Sequence, residues 1–312
     1  MKIKPTLLAM AVAGTVAAPV AVQAGADELY ASARVGIWNV KQDDGTATGS
    51  STQDTEIRSF ASRFGARGET DLGNGLTGFG RYEWGVDFNG GGSISNRHRY
   101  VGLKGGWGSV LLGQTYHTWY NYMTGPLDNP WWHSGYTMIN YRGRTDKGLT
   151  YNGGSGNFNF GATLYFENDA DEEAINGWEI GASFAVGDSK IGLAGQGVPK
   201  DFSQGSTGTD DMIYGINWSG IGIGSTTLGV AYVAQDKDKN FILDWGFGNA
   251  YFHYEYADLD LADKKPWTAT LGYTQSLGRK TTMYYELAQT ESDSDTESDR
   301  TAIMAVLKYD II

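Results

Sequence analysis

The sequence predicts an all-β fold, a transmembrane antiparallel β-barrel of about sixteen strands. Apolar and polar residues alternate along most of the chain, and glycine and tyrosine are abundant, with 45 Gly and 19 Tyr in 312 residues. Short glycine-rich turns alternate with long polar loops; seven turns and eight loops divide the chain into sixteen segments. A period of two is typical of a half-buried strand. The regular succession of turns and loops is typical of a barrel with one short end and one long end.

The strand pattern is clear in the first third of the chain. Residues 29–38 carry an apolar side chain at every second position. In residues 76–88, Tyr82 and Trp84 share one face, whereas Arg81 lies on the other. Side chains of a barrel strand face lipid and lumen in turn, so its average hydropathy stays modest. The mean hydropathy of −0.37 therefore suits either a barrel or a soluble protein.

The first 24 residues have the features of a secretory signal peptide. Lys2 and Lys4 precede an apolar stretch over 7–22, and small residues at 22–24 offer a cleavage site. We therefore expect a signal peptide at 1–24 and a single barrel domain at 25–312.

Composition excludes several classes of protein. The chain has no cysteine, which excludes disulfide scaffolds, cysteine metal sites and thiol nucleophiles. It carries 36 acidic against 24 basic residues, which disfavours nucleic acid as a partner because phosphate contacts need Lys and Arg. No recognised catalytic motif was found, so we expect neither an enzyme nor a cofactor.

Three segments carry a resemblance to a known family. They are Ser62-Arg63-Phe64-Gly65-Ala66-Arg67 with the turn that follows, residues 96–114, and the ending Val306-Leu307-Lys308-Tyr309-Asp310-Ile311. All three resemble segments of Gram-negative general diffusion porins. The resemblance implies a sixteen-stranded barrel in the outer membrane, usually a homotrimer, in contact with lipid and lipopolysaccharide. It also implies passive diffusion of small hydrophilic solutes and ions. The chain departs from the family in ending Ile311-Ile312 rather than in Phe, and in having Asn152 where an Arg is common.

The same resemblance implies that the third long loop, 121–146, folds into the lumen and presents acidic groups to a basic wall. From strand alternation we expect five arginines on that wall if Phe60, Phe64 and Ala66 face outward. An Arg at the midplane of a barrel's lipid face costs about 2–4 kcal/mol, which favours inward placement. The candidate basic residues are Arg63, Arg67, Arg81, Arg97 and Arg99, and the candidate acidic residues are Glu83, Asp128 and Asp146.

These charges have two interpretations. The arginines set a positive field across a narrow aqueous gap, or they pair with nearby carboxylates such as Glu83 and hold the wall together. The sign of ion selectivity is open at this stage: the lumen arginines favour anions, whereas the total charge favours cations, toward which the sequence leans.

The third loop is also rich in aromatic residues, namely Tyr122, Trp131, Trp132 and Tyr136. They either stack on sugars or aromatic solutes or fix the loop to the inner wall, and the second interpretation is favoured. Two alternatives to a general diffusion channel remain. One is a substrate-preferring porin for sugars or aromatic acids, and the other is a secreted soluble β-sandwich with a binding role.

Overall fold

The computed structural model describes residues 27–43, 51–87, 92–132, 143–166, 175, 177–197, 212–260, 263–293 and 299–312. The expected signal peptide and Tyr136 lie outside these residues. The strands are β1 Glu28–Asp43, β2 Ser51–Ser59, β3 Ser62–Gly73, β4 Leu76–Val86, β5 Ile94–Gly105, β6 Gly108–Tyr116, β7 Arg144–Ser155, β8 Phe158–Tyr165, β9 Gly177–Val186, β10 Ser189–Gly197, β11 Ile213–Ile223, β12 Thr226–Gln235, β13 Asp238–Phe247, β14 Ala250–Asp258, β15 Trp267–Gly278, β16 Thr281–Glu291 and β17 Arg300–Asp310.

These strands form one closed antiparallel sheet. Apart from β2 and β3, which do not pair with each other, consecutive strands pair in chain order, and β1 pairs with β17 to close the barrel. Both β2 and β3 pair with β1, so they are two halves of one barrel strand. The break falls at Ala61, whose φ of 55° interrupts the extended backbone. The barrel therefore has sixteen strands, and the predicted fold class is confirmed.

The two ends of the barrel differ as predicted. All seven predicted short turns join consecutive strands, such as β3 to β4 after Gly73 and β9 to β10 after Val186. The opposite end carries the longer connections. The predicted boundaries at this end differ most from the structure in two places: β2 already begins at Ser51, and only two residues separate β12 from β13 at the predicted loop 236–240. Polar residues in both places continue the strands, because each strand extends beyond the apolar band.

Side chains alternate between an apolar outer surface and a polar interior. Leu29, Ile37 and Tyr82 are exposed on the outside, whereas Glu83 is fully buried on the inside. A soluble β-sandwich would bury its apolar faces between two sheets, so the soluble alternative is wrong. Within the described residues, no helix has the length and apolar character needed to cross a membrane.

The segment after β6 turns into the barrel, as predicted for the third loop. We call residues 117–132 the inner loop. It contains a π-helical turn, Tyr120–Thr124, followed by a 3-10 turn, Gly125–Leu127. The first turn packs on β9, β10 and β11, and the second on β12 and β13. The inner loop therefore runs along the interior wall and narrows the lumen.

Candidate functional site

The wall opposite the inner loop is built around one buried carboxylate. Glu83 has no exposed surface, and its oxygens accept hydrogen bonds from Arg97 Nε at 2.6 Å and Arg81 Nη2 at 2.5 Å. Arg63 Nη1 lies 3.7 Å away, and the Tyr30 hydroxyl donates to the same carboxylate at 3.0 Å. Alternation on β4 places Arg81 and Glu83 on the same face. Three arginines predicted for the lumen wall are thus brought together by a single acidic group.

A bulge in β5 directs Arg97 inward. His98 pairs with Glu83 and Asn96 pairs with Trp84, so Arg97 is the extra residue between them. Its guanidinium can therefore reach Glu83. The imidazole of His98 also faces inward, where its Nδ1 lies 3.0 Å from the Thr115 hydroxyl.

The same register places Arg99 on the outer face, which corrects its predicted position on the lumen wall. Arg99 pairs with Tyr82, and both Tyr82 and Val101 are exposed on the outside. The prediction assumed that alternation continues through Arg97, but the bulge shifts it by one residue. Arg99 Nε donates to Gln114 Oε1 at 2.9 Å. Its Nη2 lies 3.8 Å from Asp146, so Asp146 pairs with Arg99 instead of facing the lumen arginines.

Arg67 lies apart from the Glu83 group. Its Nη2 is 2.5 Å from Glu28, and both side chains are half exposed. Its pairing with Arg81 keeps it on the inner face, as predicted. It forms a separate ion pair at the start of β1.

The structure adds two arginines that the sequence reasoning missed. Arg34 on β1 lies near Arg63 and Arg97, and its guanidinium is 5.6 Å from the Trp131 ring. Arg144 at the start of β7 lies 4.9 Å above the Tyr116 ring. Alternation in β1 would have found Arg34, because its neighbours in sequence are apolar and face outward. Alternation could not have indicated Arg144, because residue 144 was assigned to the third loop and not to a strand.

Buried carboxylates on the inner wall fasten the inner loop. At its start, Glu179 on β9 accepts the backbone N–H of Trp119 at 2.7 Å and the Tyr165 hydroxyl at 2.7 Å. Midway, Asp244 on β13 accepts a hydrogen bond from the Asn129 side chain. These carboxylates were not predicted, although alternation places each of them inward.

A third carboxylate holds the end of the inner loop. Glu286 on β16 accepts backbone N–H groups from Trp131 and Trp132, the latter at 3.1 Å. It also accepts the Tyr251 hydroxyl at 2.5 Å. Asp128, the predicted acidic residue of the loop, accepts a hydrogen bond from the Tyr120 hydroxyl at 2.8 Å. The loop is thus held at its start, middle and end.

The aromatic residues of the loop pack against the barrel. Trp131 stacks on Tyr284 with centroids 4.4 Å apart and planes within 5°. Trp132 meets Phe60 edge-on at 5.1 Å. Phe60 is itself buried in this cluster, which corrects its predicted outward position; the break at Ala61 turns it inward.

One face of Trp131 contacts Tyr284, and Arg34 lies over the ring at 5.6 Å. Tyr122 is buried against the wall, and burial raises the pKa of its hydroxyl, so it adds no charge at neutral pH. These contacts support the interpretation that the aromatic residues fix the loop.

Comparisons with known proteins agree with this architecture. A family model described as Gram-negative porin matches residues 6–295. The major outer membrane protein P.IB of Neisseria lactamica is 36% identical over 114 residues, which is 35% of this chain and 32% of that protein. The aligned segment thus spans about a third of the curated relatives' length.

Solved structures match over almost the whole chain. The anion-selective porin from Comamonas acidovorans has a TM-score of 0.68 at 18% identity, covering 92% of this chain and 100% of that one. Salmonella typhi OmpF in complex with daunomycin has a TM-score of 0.67 at 17% identity, covering 92% and 98%. These structures share the fold, and the family model covers most of the sequence. The chain belongs to the Gram-negative porin family and is a protein of the outer membrane.

Proposed function

We propose that this porin is a water-filled channel through which small hydrophilic solutes and ions diffuse passively, with a preference for anions. It performs no covalent chemistry; size, charge and the field in the lumen select what passes. The observation that carries the anion preference is the excess of guanidinium groups around Glu83.

The accessible charge of the lumen differs from the total charge of the chain. Arg63, Arg81 and Arg97 keep 19%, 26% and 14% of their side-chain surface exposed, whereas Glu83 keeps none. The carboxylates under the inner loop are also buried and accept hydrogen bonds from it. Permeating ions therefore meet cationic groups more directly than anionic ones. Charged rings and walls of this kind set ion preference in pores.

The total charge of −12 does not oppose this proposal. Fixed charges at the mouths are screened over about 8 Å at physiological ionic strength. A charge that lines the constriction acts on an ion at closer range and with less intervening water. We therefore weigh the lumen arginines above the overall acidity that favoured cations at the sequence level.

The test is the reversal potential of the purified protein in a planar bilayer under a salt gradient. We expect ohmic channels whose reversal potential has the sign of anion preference. Replacing Arg63 and Arg97 together by Ala should move the potential toward cation preference. Lys104→Ala is the control for loss of a basic side chain at another place, because Lys104 lies on the same strand as Arg97 but pairs with the exposed Glu69 at 2.6 Å. Absence of channels, or cation preference in the unmodified protein, would contradict the proposal.

Solute flux should be non-saturable. Aromatic residues of the inner loop are engaged with the barrel strands, as for Trp131 on Tyr284 and Tyr120 on Tyr116. This packing gives no support to a stacking site for sugars or aromatic acids. We therefore favour general diffusion over a substrate-preferring porin.

We also propose that the protein is a homotrimer. On the outer faces of β1, β3 and β4, small residues stand among larger ones: Ala66 pairs with Leu29 and with Tyr82, and Gly68 pairs with Gly80. On the outer faces of β8 to β13, the exposed residues include the large apolar side chains Phe160, Ile180, Trp218 and Trp245. Small residues allow close approach of two backbones, whereas large ones suit lipid. A Vibrio cholerae OmpT with a TM-score of 0.68 at 14% identity was solved in a trimer form.

A further inference from the structure

Five consecutive strands have a glycine where the inner loop touches the wall. They are Gly161 on β8, Gly181 on β9, Gly192 on β10, Gly215 on β11 and Gly229 on β12. Gly161 and Gly181 are direct partners in the strand register. Together they form what we call the loop seat, in which the two short helical turns of the loop lie.

A side chain at any of these positions would collide with the loop. An added Cβ at Gly161 or at Gly181 would lie 2.9 Å from the Tyr122 ring. At Gly192 it would strike the carbonyl oxygen of Tyr122, and at Gly229 it would strike Leu127. Real Cβ atoms do not approach other atoms so closely. At Gly192 the atom that would be struck belongs to the loop backbone, so there the loop itself would have to move.

A separate interaction shows that the loop backbone rests directly on the wall. Asn217 on β11 is buried, and its side-chain Nδ2 donates to the carbonyl oxygens of Tyr122 at 2.6 Å and Met123 at 3.0 Å. This short amide can reach two loop carbonyls only when the loop lies against the strand. The two hydrogen bonds of Asn217 therefore depend on the absence of side chains at the glycines of the loop seat.

We infer that the loop seat sets the width of the pore, with Gly192 and Gly181 as size-determining positions. The inference rests on the proposed channel function. Glu179 and Glu286 hold the two ends of the loop against the wall. A side chain beneath the middle of the loop can therefore displace it only into the lumen. One added methyl lifts the loop by about the length of a C–C bond, roughly 1.5 Å, and reduces the free cross-section.

The test compares two alanine variants in the planar bilayer. In Gly192→Ala the new methyl meets backbone, which cannot rotate away, and we expect single-channel conductance to fall roughly twofold because pore diameter limits conduction. Swelling of proteoliposomes in sugars of increasing size should show a lower size limit. The matched control is Gly222→Ala on β11, where an added Cβ has nothing within 4 Å. Its conductance should equal that of the unmodified protein.

A second pair of variants keeps the inference testable if Gly192→Ala fails to fold. Gly181→Ala should also lower conductance, and adding Tyr122→Ala should restore it, because the closest contact of an added Cβ at this position, at 2.9 Å, is with the Tyr122 ring. Folding is checked by the heat-dependent shift in gel mobility. Folded Gly192→Ala and Gly181→Ala channels with unchanged conductance and size limit would overturn the inference. Failure of the unmodified protein to form channels would instead overturn the proposed function.

Discussion

Glu83 shows how one residue organises the charged wall. Three strands bring Arg63, Arg81 and Arg97 to it, and no part of its side chain reaches solvent. A buried ion pair is costly to break, because the remaining charges lose their partner while still desolvated. Glu83 therefore both holds the wall together and limits its positive charge, so the two interpretations of the arginines are compatible.

We predict that Glu83→Gln both destabilises the barrel and increases its preference for anions. Loss of the buried carboxylate should lower the free energy of unfolding by about 3–5 kcal/mol. Glu69→Gln is the control: it breaks the exposed pair with Lys104 and should cost at most about 1 kcal/mol. Denaturant unfolding in detergent measures the first effect, and the reversal potential measures the second. Equal losses of stability in the two variants would show that Glu83 does not hold the wall together.

Alternation predicted much of the site at the residue scale. It placed Arg63 and Arg81 inward, where they lie. It placed Arg99 wrongly because a single-residue bulge cannot be read from the pattern. It did not select the inward carboxylates Glu179 and Glu286, because their importance depends on which wall the loop crosses. The path of the loop across the wall is a tertiary feature, and no local sequence pattern indicates it.

The inner loop is the element whose position defines the constriction. It is fastened by side chains from β9, β11, β13 and β16, all of which donate to or accept from it directly. Such a distributed attachment restricts sliding and lifting of the loop.

We predict that Glu286→Gln loosens the far end of the loop. The glutamine side chain keeps one acceptor oxygen, but its NH₂ group replaces the other. That NH₂ group cannot accept a hydrogen bond from the backbone N–H groups of Trp131 and Trp132. We expect noisier open-channel current and faster chymotrypsin cleavage in the loop. Glu291→Gln lies on the same strand and loses only an exposed hydrogen bond from Trp267, so it should behave as the unmodified protein. Identical noise and cleavage in both variants would argue against Glu286 as an anchor.

At the scale of elements, the sequence predicted the number of strands and the inward loop, but not all boundaries. Turns rich in glycine were located correctly because the backbone conformation of a tight turn is set by the residues of the turn itself. Gly187, with its positive φ, is an example. Polar strand ends such as β2 were assigned to loops, because outside the apolar band nothing in composition separates strand from loop.

At the scale of the whole molecule, the outer surface determines how subunits can assemble. If the small residues Ala66, Gly68 and Gly80 belong to the subunit contact, a bulky side chain there should block assembly. We predict that Ala66→Phe reduces the detergent-resistant trimer band on gels, because the ring prevents close approach of the neighbouring wall. Ala162→Phe on the outer face of β8 is the control and should leave assembly unchanged. Equal assembly of the two variants would place the contact elsewhere.

Closure of the barrel through β1 and β17 has a consequence for how the molecule is made. Ser32 pairs with Asp310, so the seam joins residues from almost opposite ends of the described chain. Contacts so distant in sequence form late, because the intervening chain must first be ordered. Until then, both strands expose unpaired backbone groups, which hydrocarbon cannot satisfy. Insertion and closure must therefore be coupled. The edges of β1 and β17 stay open to wrong pairing until the seam between them forms.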